Sequence, residues 1–105
     1  VSRVRYPGLP TDSEHEKAKA FMKSFGAIVS FEYAGDAAST DKVCQSSKIV
    51  TYATSLGGVE SLWERRRRWP IESASVPETL IRLSVGCENV EDLWRDIDSA
   101  LQAAK

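Results

Sequence analysis

The sequence has few of the residues that build metal sites, disulfide frameworks or membrane spans. It contains one histidine and two widely separated cysteines, Cys44 and Cys87, whose spacing fits neither a metal site nor a disulfide framework. We therefore expect two reduced thiols and a cytoplasmic protein. No apolar run approaches the roughly 20 residues that span a bilayer, and no apolar segment follows the N-terminal arginines as in a signal peptide. These features argue against secreted, metal-centred and membrane-spanning proteins.

Strong charge of one sign is also lacking. The 105 residues carry 14 basic and 15 acidic side chains, and a net charge of −1 gives no electrostatic case for a nucleic-acid partner. The run Arg65–Arg68, flanked by Trp63 and Trp69, is a local exception with aromatic rings that nucleic-acid bases can stack on. On a domain of near-zero net charge, such a run more often forms a solvated or subunit-facing edge, which is our prediction. The length indicates one domain with a modest core, residues 1–105.

Hydrophobic periodicity predicts three helices. Thr11-Asp12-Ser13-Glu14 has the form of a capping box and precedes an amphipathic segment that extends to Ser24, with Gly26 placed where a left-handed residue ends such a helix. His15, in the first turn, is predicted to be exposed. Residues 37–47 favour a second helix. Asn89 is predicted to cap a final helix, whose apolar stripe consists of Val90, Leu93, Trp94, Ile97 and Leu101.

Runs of β-branched and aromatic residues predict strands at 27–33, 48–53 and 79–85. The pattern at 59–64 fits either a strand or a short helix. The strands follow one another without regular helical crossovers, which favours an antiparallel sheet of about four strands with helices packed on one face. The fold class predicted is therefore α+β.

The clearest candidate for chemistry is an arginine inside an apolar strand. Alternation along the last strand places Leu80, Arg82 and Ser84 on one face and apolar residues on the other, which we expect to pack on the helices. Charged side chains are rarely buried without a partner, so Arg82 needs an anion. That anion is either an acid of the chain, such as Glu60, or the carboxylate of a ligand. Ser55, followed by Gly57-Gly58, offers a hydroxyl beside backbone that a ligand can approach closely.

Four segments in register resemble one family. Tyr-Pro-Gly-Leu-Pro at 6–10, Ser-Leu-Gly-Gly-Val-Glu-Ser-Leu at 55–62, Arg-Leu-Ser-Val-Gly at 82–86 and Val-Glu-Asp-Leu at 90–93 look like the C-terminal domain of the Cys/Met-metabolism pyridoxal-phosphate enzymes, which include the cystathionine γ-synthases and lyases. The resemblance covers nearly the whole chain. It implies the C-terminal domain of fold-type-I pyridoxal-phosphate enzymes, in a longer parent that is a homotetramer and acts on cystathionine- or homoserine-type amino acids as a C–S lyase or a γ-replacement enzyme.

The same resemblance assigns roles to particular residues. It implies that Ser55, the backbone N–H of Leu56 and Arg82 bind the α-carboxylate of the amino-acid substrate. The family's cofactor lysine lies in an N-terminal domain, and none of the six lysines here matches it, so no catalytic residue is expected in this chain. Thr54 stands where cystathionine γ-synthases and γ-lyases usually carry a glutamate near the distal amino group. Because threonine supplies no charge for an ammonium, we expect Thr54 to alter specificity away from cystathionine.

A function of another class stays open at this point. The chain alone also fits a stand-alone, non-catalytic module that binds a small molecule or a protein. An upstream domain bearing the cofactor lysine would distinguish the enzyme from the module.

Overall fold

The structure, a computed structural model, describes all 105 residues. Its five strands and three α-helices follow one another as β1 Arg3–Arg5, α1 His15–Lys19, β2 Ile28–Glu32, α2 Ala37–Ser46, β3 Thr51–Tyr52, β4 Leu62–Arg65, β5 Leu80–Ser84 and α3 Val90–Ala103. The strands form one sheet in the order β1-β2-β5-β4-β3. Residues of α2 and α3 share a buried core with one face of this sheet, so the predicted α+β fold is confirmed.

The sheet differs from the prediction at both edges. Strand β1 was not predicted, because Arg3 and Val4 are exposed and show no buried alternation. It is held by antiparallel backbone pairing to β2. At the other edge, β3 is only two residues long and pairs in parallel with β4. The pairing is parallel because residues 53–61 carry the chain back to the end of the sheet where β3 begins, and β4 starts there. The ambiguous segment at 59–64 therefore ends in a strand, and the sheet is mixed rather than wholly antiparallel.

The core lies between the sheet and the two longer helices. Trp63 of β4 and Ile81 of β5 are fully buried there, and the indole N–H of Trp63 donates to the carbonyl of Cys44 at 3.1 Å. Leu83 is also buried, which confirms the prediction that the apolar face of β5 packs on the helices. Cys44 belongs to this core, whereas Cys87 is exposed.

The first helix is shorter than predicted and its capping box is absent. Helix α1 spans five residues, and its first turn receives no side-chain cap. The Asp12 carboxylate instead accepts the N–H groups of Tyr6 and Glu14, which ties the proline-containing loop to the helix entry. His15 is partly buried rather than exposed, because its ring stacks on Phe25 and bonds the carbonyl of Pro7 at 2.7 Å. Gly26 has the predicted positive φ, 83°, but α1 already ends at Lys19, so Gly26 does not terminate this helix.

The last helix begins as predicted. The Asn89 side chain accepts the N–H groups of Glu91 and Asp92 at 3.0 and 3.2 Å. Leu93 is buried, but Val90 and Trp94, which belong to the predicted apolar stripe, are 71% and 63% exposed. None of the helices combines the length and apolar character needed to cross a membrane.

Asp96 connects α3 to the loop before β3. Its carboxylate accepts the backbone N–H groups of Lys48, Ile49 and Val50 at 2.7 to 2.9 Å. Burial alone opposes ionisation of this carboxyl, but the three N–H donors outweigh that effect and hold the pKa of Asp96 below its usual range.

We expect Asp96→Asn to destabilise the domain by about 1–3 kcal/mol, because an amide oxygen cannot replace both carboxylate oxygens and leaves N–H groups unsatisfied. Urea unfolding followed by tryptophan fluorescence measures the loss. Asp92→Asn is the matched control on the same helix, because its side chain is 54% exposed and should change stability by less than about 0.5 kcal/mol. Equal effects of the two substitutions would contradict this role for Asp96.

Candidate functional site

The face of the sheet opposite the two longer helices carries a row of polar residues. Strand register places Ser30 of β2, Arg82 of β5 and Glu64 of β4 side by side. Since side chains alternate along each strand, these three point away from the face that holds Trp63 and Ile81. Arg82 and Glu64 therefore face each other by strand pairing, although 18 residues separate them in the chain.

The loop that carries Ser55 and Leu56 is fixed to the end of β5. The N–H of Gly57 donates to the hydroxyl of Ser84 at 2.8 Å, and Gly57 has a φ of 79°, a left-handed conformation that favours glycine. Farther along, the hydroxyl of Ser61 accepts the N–H of Gly86 at 2.8 Å. A Cβ on Gly86 would lie 2.2 Å from a backbone carbonyl oxygen, so only glycine allows the loop to approach this closely.

Arg82 is oriented toward this loop but is only loosely engaged. One terminal nitrogen lies 3.4 Å from the carbonyl oxygen of Ser55 and 3.4 Å from a Glu64 oxygen. Both distances exceed the roughly 2.7–2.9 Å of a strong charge-assisted hydrogen bond. The side chain remains 21% exposed. The Ser55 hydroxyl and the Leu56 N–H form no hydrogen bond within the chain, and both residues are exposed, so these two donors are free to bind a ligand.

Glu64 is the residue of this site that the sequence analysis missed. Its side chain is 1% exposed, although it lies on the open face of the sheet. Besides Arg82, its donors are the Thr54 hydroxyl at 2.6 Å, the indole N–H of Trp69 at 3.1 Å, Arg68 at 2.9 Å, and Arg66. A glutamate in a strand that runs directly into four arginines was the available signal.

These donors determine the charge of Glu64. Burial opposes its ionisation, but the hydrogen bonds from Thr54, Trp69, Arg66 and Arg68 prevail and hold the pKa of Glu64 below its usual range. Arg66 also pairs with Glu72 at 2.7 Å, so three arginines share two carboxylates and leave one net positive charge. This surplus suits the binding of one further anion next to Arg82.

Thr54 is part of the same network. Its hydroxyl donates to Glu64 and accepts a hydrogen bond from Arg68 at 3.2 Å. The Arg68 guanidinium lies 4.2 Å from the ring centroid of Tyr52 and 4.7 Å from that of Trp69, within the range of cation–π contacts. Thr54 therefore lies between the Glu64 carboxylate and the Arg68 guanidinium, which two aromatic rings hold in place.

Of the two alternatives that we predicted for the four consecutive arginines, a solvated or a subunit-facing edge, the structure contradicts the solvated edge. Arg65 is buried, with 8% exposure, and pairs with Asp41 at 2.8 Å and Glu78 at 2.9 Å. Arg67 also pairs with Glu78, at 2.9 Å. Because each arginine of the run pairs with an acid of the same chain and is at most 25% exposed, the run presents no extended charged surface to a nucleic-acid backbone.

Comparison with known proteins identifies the family. Residues 1–102 match the Cys/Met metabolism PLP-dependent enzymes. The chain is 42% identical over 106 residues to the cystathionine gamma-synthase of Mycobacterium leprae, covering 96% of this chain and 27% of that protein. It is 38% identical over 113 residues to the L-methionine gamma-lyase of Fusobacterium nucleatum, covering 97% and 28%. The crystal structure of metB from Corynebacterium glutamicum superposes with a TM-score of 0.90 at 43% identity, covering 97% of this chain and 28% of that one.

The chain therefore belongs to the Cys/Met metabolism PLP-dependent enzyme family, whose cofactor is pyridoxal phosphate. It spans about a quarter of the length of the curated relatives it matches. Its own residues do not fit the cofactor. All six lysines, at positions 17, 19, 23, 42, 48 and 105, are exposed, whereas a lysine that carries such a cofactor is activated by desolvation or by neighbouring charge.

Proposed function

We propose that this chain is the C-terminal, substrate-binding domain of a longer pyridoxal-phosphate enzyme of sulfur amino-acid metabolism. That enzyme performs C–S lysis or γ-replacement on cystathionine- or homoserine-type substrates. Relatives named as cystathionine gamma-synthase and L-methionine gamma-lyase support this chemistry. The cofactor supplies the electron sink, and this domain contributes orientation of the substrate, which accounts for a large part of such catalysis.

Arg82, the Ser55 hydroxyl and the Leu56 N–H hold the α-carboxylate of the substrate in this proposal. The observation that carries it is the loose engagement of Arg82 beside two donors that have no partner. A guanidinium binds a carboxylate through two parallel hydrogen bonds, and a hydroxyl and an N–H complete the set of donors. The net positive charge of the surrounding cluster favours the anion further.

The domain also presents a surface suited to the rest of such a protein. Eight apolar residues, among them Val4, Phe31 and Trp94, line a groove of about 340 Å³ between the β1 edge of the sheet and α3. Exposed apolar patches of this kind commonly mark interaction surfaces. We propose that this domain contacts the N-terminal cofactor-binding domain of the same protein and the other subunits of a homotetramer. Light scattering of the full-length protein measures the subunit number.

The proposal is tested by expressing the full-length protein. We expect the yellow absorbance of a lysine-bound cofactor, and turnover when cystathionine, homocysteine and O-acylhomoserines are screened. Absence of both the cofactor and turnover would leave the stand-alone binding module as the better account.

In isolation, the 105-residue domain should fold but remain inactive. Its helix caps and buried core support folding, and its exposed lysines should react with pyridoxal phosphate only weakly and without saturation. Circular dichroism reports folding, and a spectrophotometric titration reports cofactor binding. Stoichiometric tight binding of the cofactor, or turnover of any sulfur amino acid, would contradict the assignment of the cofactor site to another domain.

A further inference from the structure

Arg68 places a fixed positive charge beside the loop that carries Ser55. Its terminal nitrogen lies 3.2 Å from the hydroxyl of Thr54, the residue before Ser55. The aromatic rings of Tyr52 and Trp69 both contact the guanidinium, with centroid distances of 4.2 and 4.7 Å. Because these contacts restrict the guanidinium, the charge cannot readily move away when a ligand arrives.

Arg68 and Arg82 occupy the two oxygens of one buried carboxylate. Arg68 bonds Oε2 of Glu64 at 2.9 Å, and Arg82 lies 3.4 Å from Oε1. A ligand held by Arg82 therefore has the Arg68 guanidinium as a close neighbour. Glu64 also pairs with Arg66 and Arg82, so its single negative charge is shared and does not fully neutralise Arg68. The side chain of Arg68 is 25% exposed, so solvent screens its charge only in part.

We propose that Arg68 is a specificity-determining residue, which selects against substrates with a positively charged side chain and favours neutral or anionic ones. This inference rests on the proposed function, in which Arg82 fixes the α-carboxylate next to Thr54. Two like charges close together in a partly desolvated site repel strongly, so a side-chain ammonium is penalised while an uncharged side chain is not. Thr54 contributes to this selection because its hydroxyl bonds Glu64 and Arg68 and supplies no carboxylate that could pair with a side-chain ammonium.

Three amino acids of similar reach test the proposal as competitive inhibitors of the full-length enzyme. Norleucine has a neutral side chain, lysine adds an ammonium, and 2-aminoadipate ends in a carboxylate. We expect lysine to bind about tenfold more weakly than norleucine and 2-aminoadipate to bind at least as tightly as norleucine. Arg68→Met should bring the ratio of the lysine and norleucine inhibition constants close to one, because any change in α-carboxylate binding is common to both amino acids and cancels in this ratio.

Two further variants separate charge from packing. Arg68→Lys retains the charge and should retain the discrimination. Arg67→Met removes a similarly exposed arginine of the same run, which pairs with Glu78 and does not contact Thr54, and it should also retain the discrimination. If Arg68→Met does not fold, Arg68→Gln, whose amide can still bond Glu64, is measured in its place.

The outcomes distinguish this inference from the proposed function. Unchanged discrimination against lysine in the Arg68→Met or Arg68→Gln variant overturns the role of Arg68. Equal loss of discrimination in Arg67→Met overturns it as well, because the effect would then follow the total charge and not the position. Norleucine inhibition that does not depend on Arg82 would instead contradict the proposed function.

Discussion

Arg82→Lys in the full-length enzyme is expected to lower kcat/KM by about 10–100-fold, mainly through a higher KM. Lysine keeps the positive charge but loses the planar pair of donors that binds a carboxylate through two hydrogen bonds. A loss of this size corresponds to about 1.4–2.7 kcal/mol of transition-state binding. Steady-state kinetics on the preferred sulfur amino acid measures it.

Stability should respond very little to the same substitution. Both contacts of Arg82 within the chain are 3.4 Å long and its side chain is partly exposed, so they contribute less than about 1 kcal/mol to folding. Arg65→Lys is the matched control. Arg65 is buried on the neighbouring strand and bonds Asp41 and Glu78 at 2.8 and 2.9 Å, so its replacement should reduce stability without raising KM.

Exchange of these two results would contradict the assignment. If Arg82→Lys unfolds the domain and leaves KM unchanged, Arg82 is a structural ion-pair residue and the sheet face around it is not a substrate site. The pair of variants makes this distinction within one protein, because strand pairing aligns Glu64 with Arg82 and Arg65 with Ile81 on the same two strands.

Much of the fold was predictable where burial shows as a repeating pattern. Ile81 and Leu83 alternate with Arg82 and Ser84 and lie in the core as predicted, and Asn89 caps α3. Strand β1 gave no such signal, because backbone pairing to β2 holds it. The capping box at Thr11 failed for another reason. The Asp12 carboxylate forms competing hydrogen bonds with Tyr6 and Glu14, a contact between loops that local spacing does not reveal.

Of the candidate site, the sequence predicted Ser55, Leu56 and Arg82, which lie in the family motifs, but not Glu64. A single cation among apolar residues indicated that Arg82 needs an anion, and the sequence left open whether an acid of the chain or a ligand supplies it. The structure identifies Glu64, and not Glu60 as suggested from the sequence, as the acid within the chain. Its pairing with Arg82 depends on which strands are neighbours and on their register, and neither follows from residue spacing. The Thr54 hydroxyl reaches Glu64 because of the same tertiary arrangement.

Glu64→Gln is expected to be the most destabilising change in the site, at about 3 kcal/mol. The substitution removes the one carboxylate that Arg66, Arg68 and Arg82 share, and breaking a buried pair typically costs about 3–5 kcal/mol. We place the loss at the low end because these arginines are 21–25% exposed and regain some hydration. Urea unfolding of the 105-residue domain at pH 7 measures it.

A pH series identifies the charge of Glu64 as the cause. Because the pKa of Glu64 is lowered by folding, the stability that it contributes is fully present above the unfolded-state pKa of about 4.3 and is lost as the pH falls through the lower folded-state pKa. The difference in unfolding free energy between the wild type and Glu64→Gln should therefore be constant from pH 6 to 8 and shrink on acidification. Other acids titrate in both proteins and cancel in this difference.

Glu78→Gln provides the control for a carboxylate that also pairs with two arginines. The Glu78 side chain is 54% exposed, and solvent screening should limit its loss to about 1 kcal/mol or less. A loss at Glu64 no larger than this, or a difference that persists unchanged at low pH, would show that its contribution does not come from the buried charge. We expect instead a larger loss at Glu64 that depends on pH, because three arginines and the Thr54 hydroxyl bond its buried carboxylate. The charge of Glu64 therefore links β4 to the arginine run and to the loop at Thr54, and its neutralisation should weaken all of these contacts.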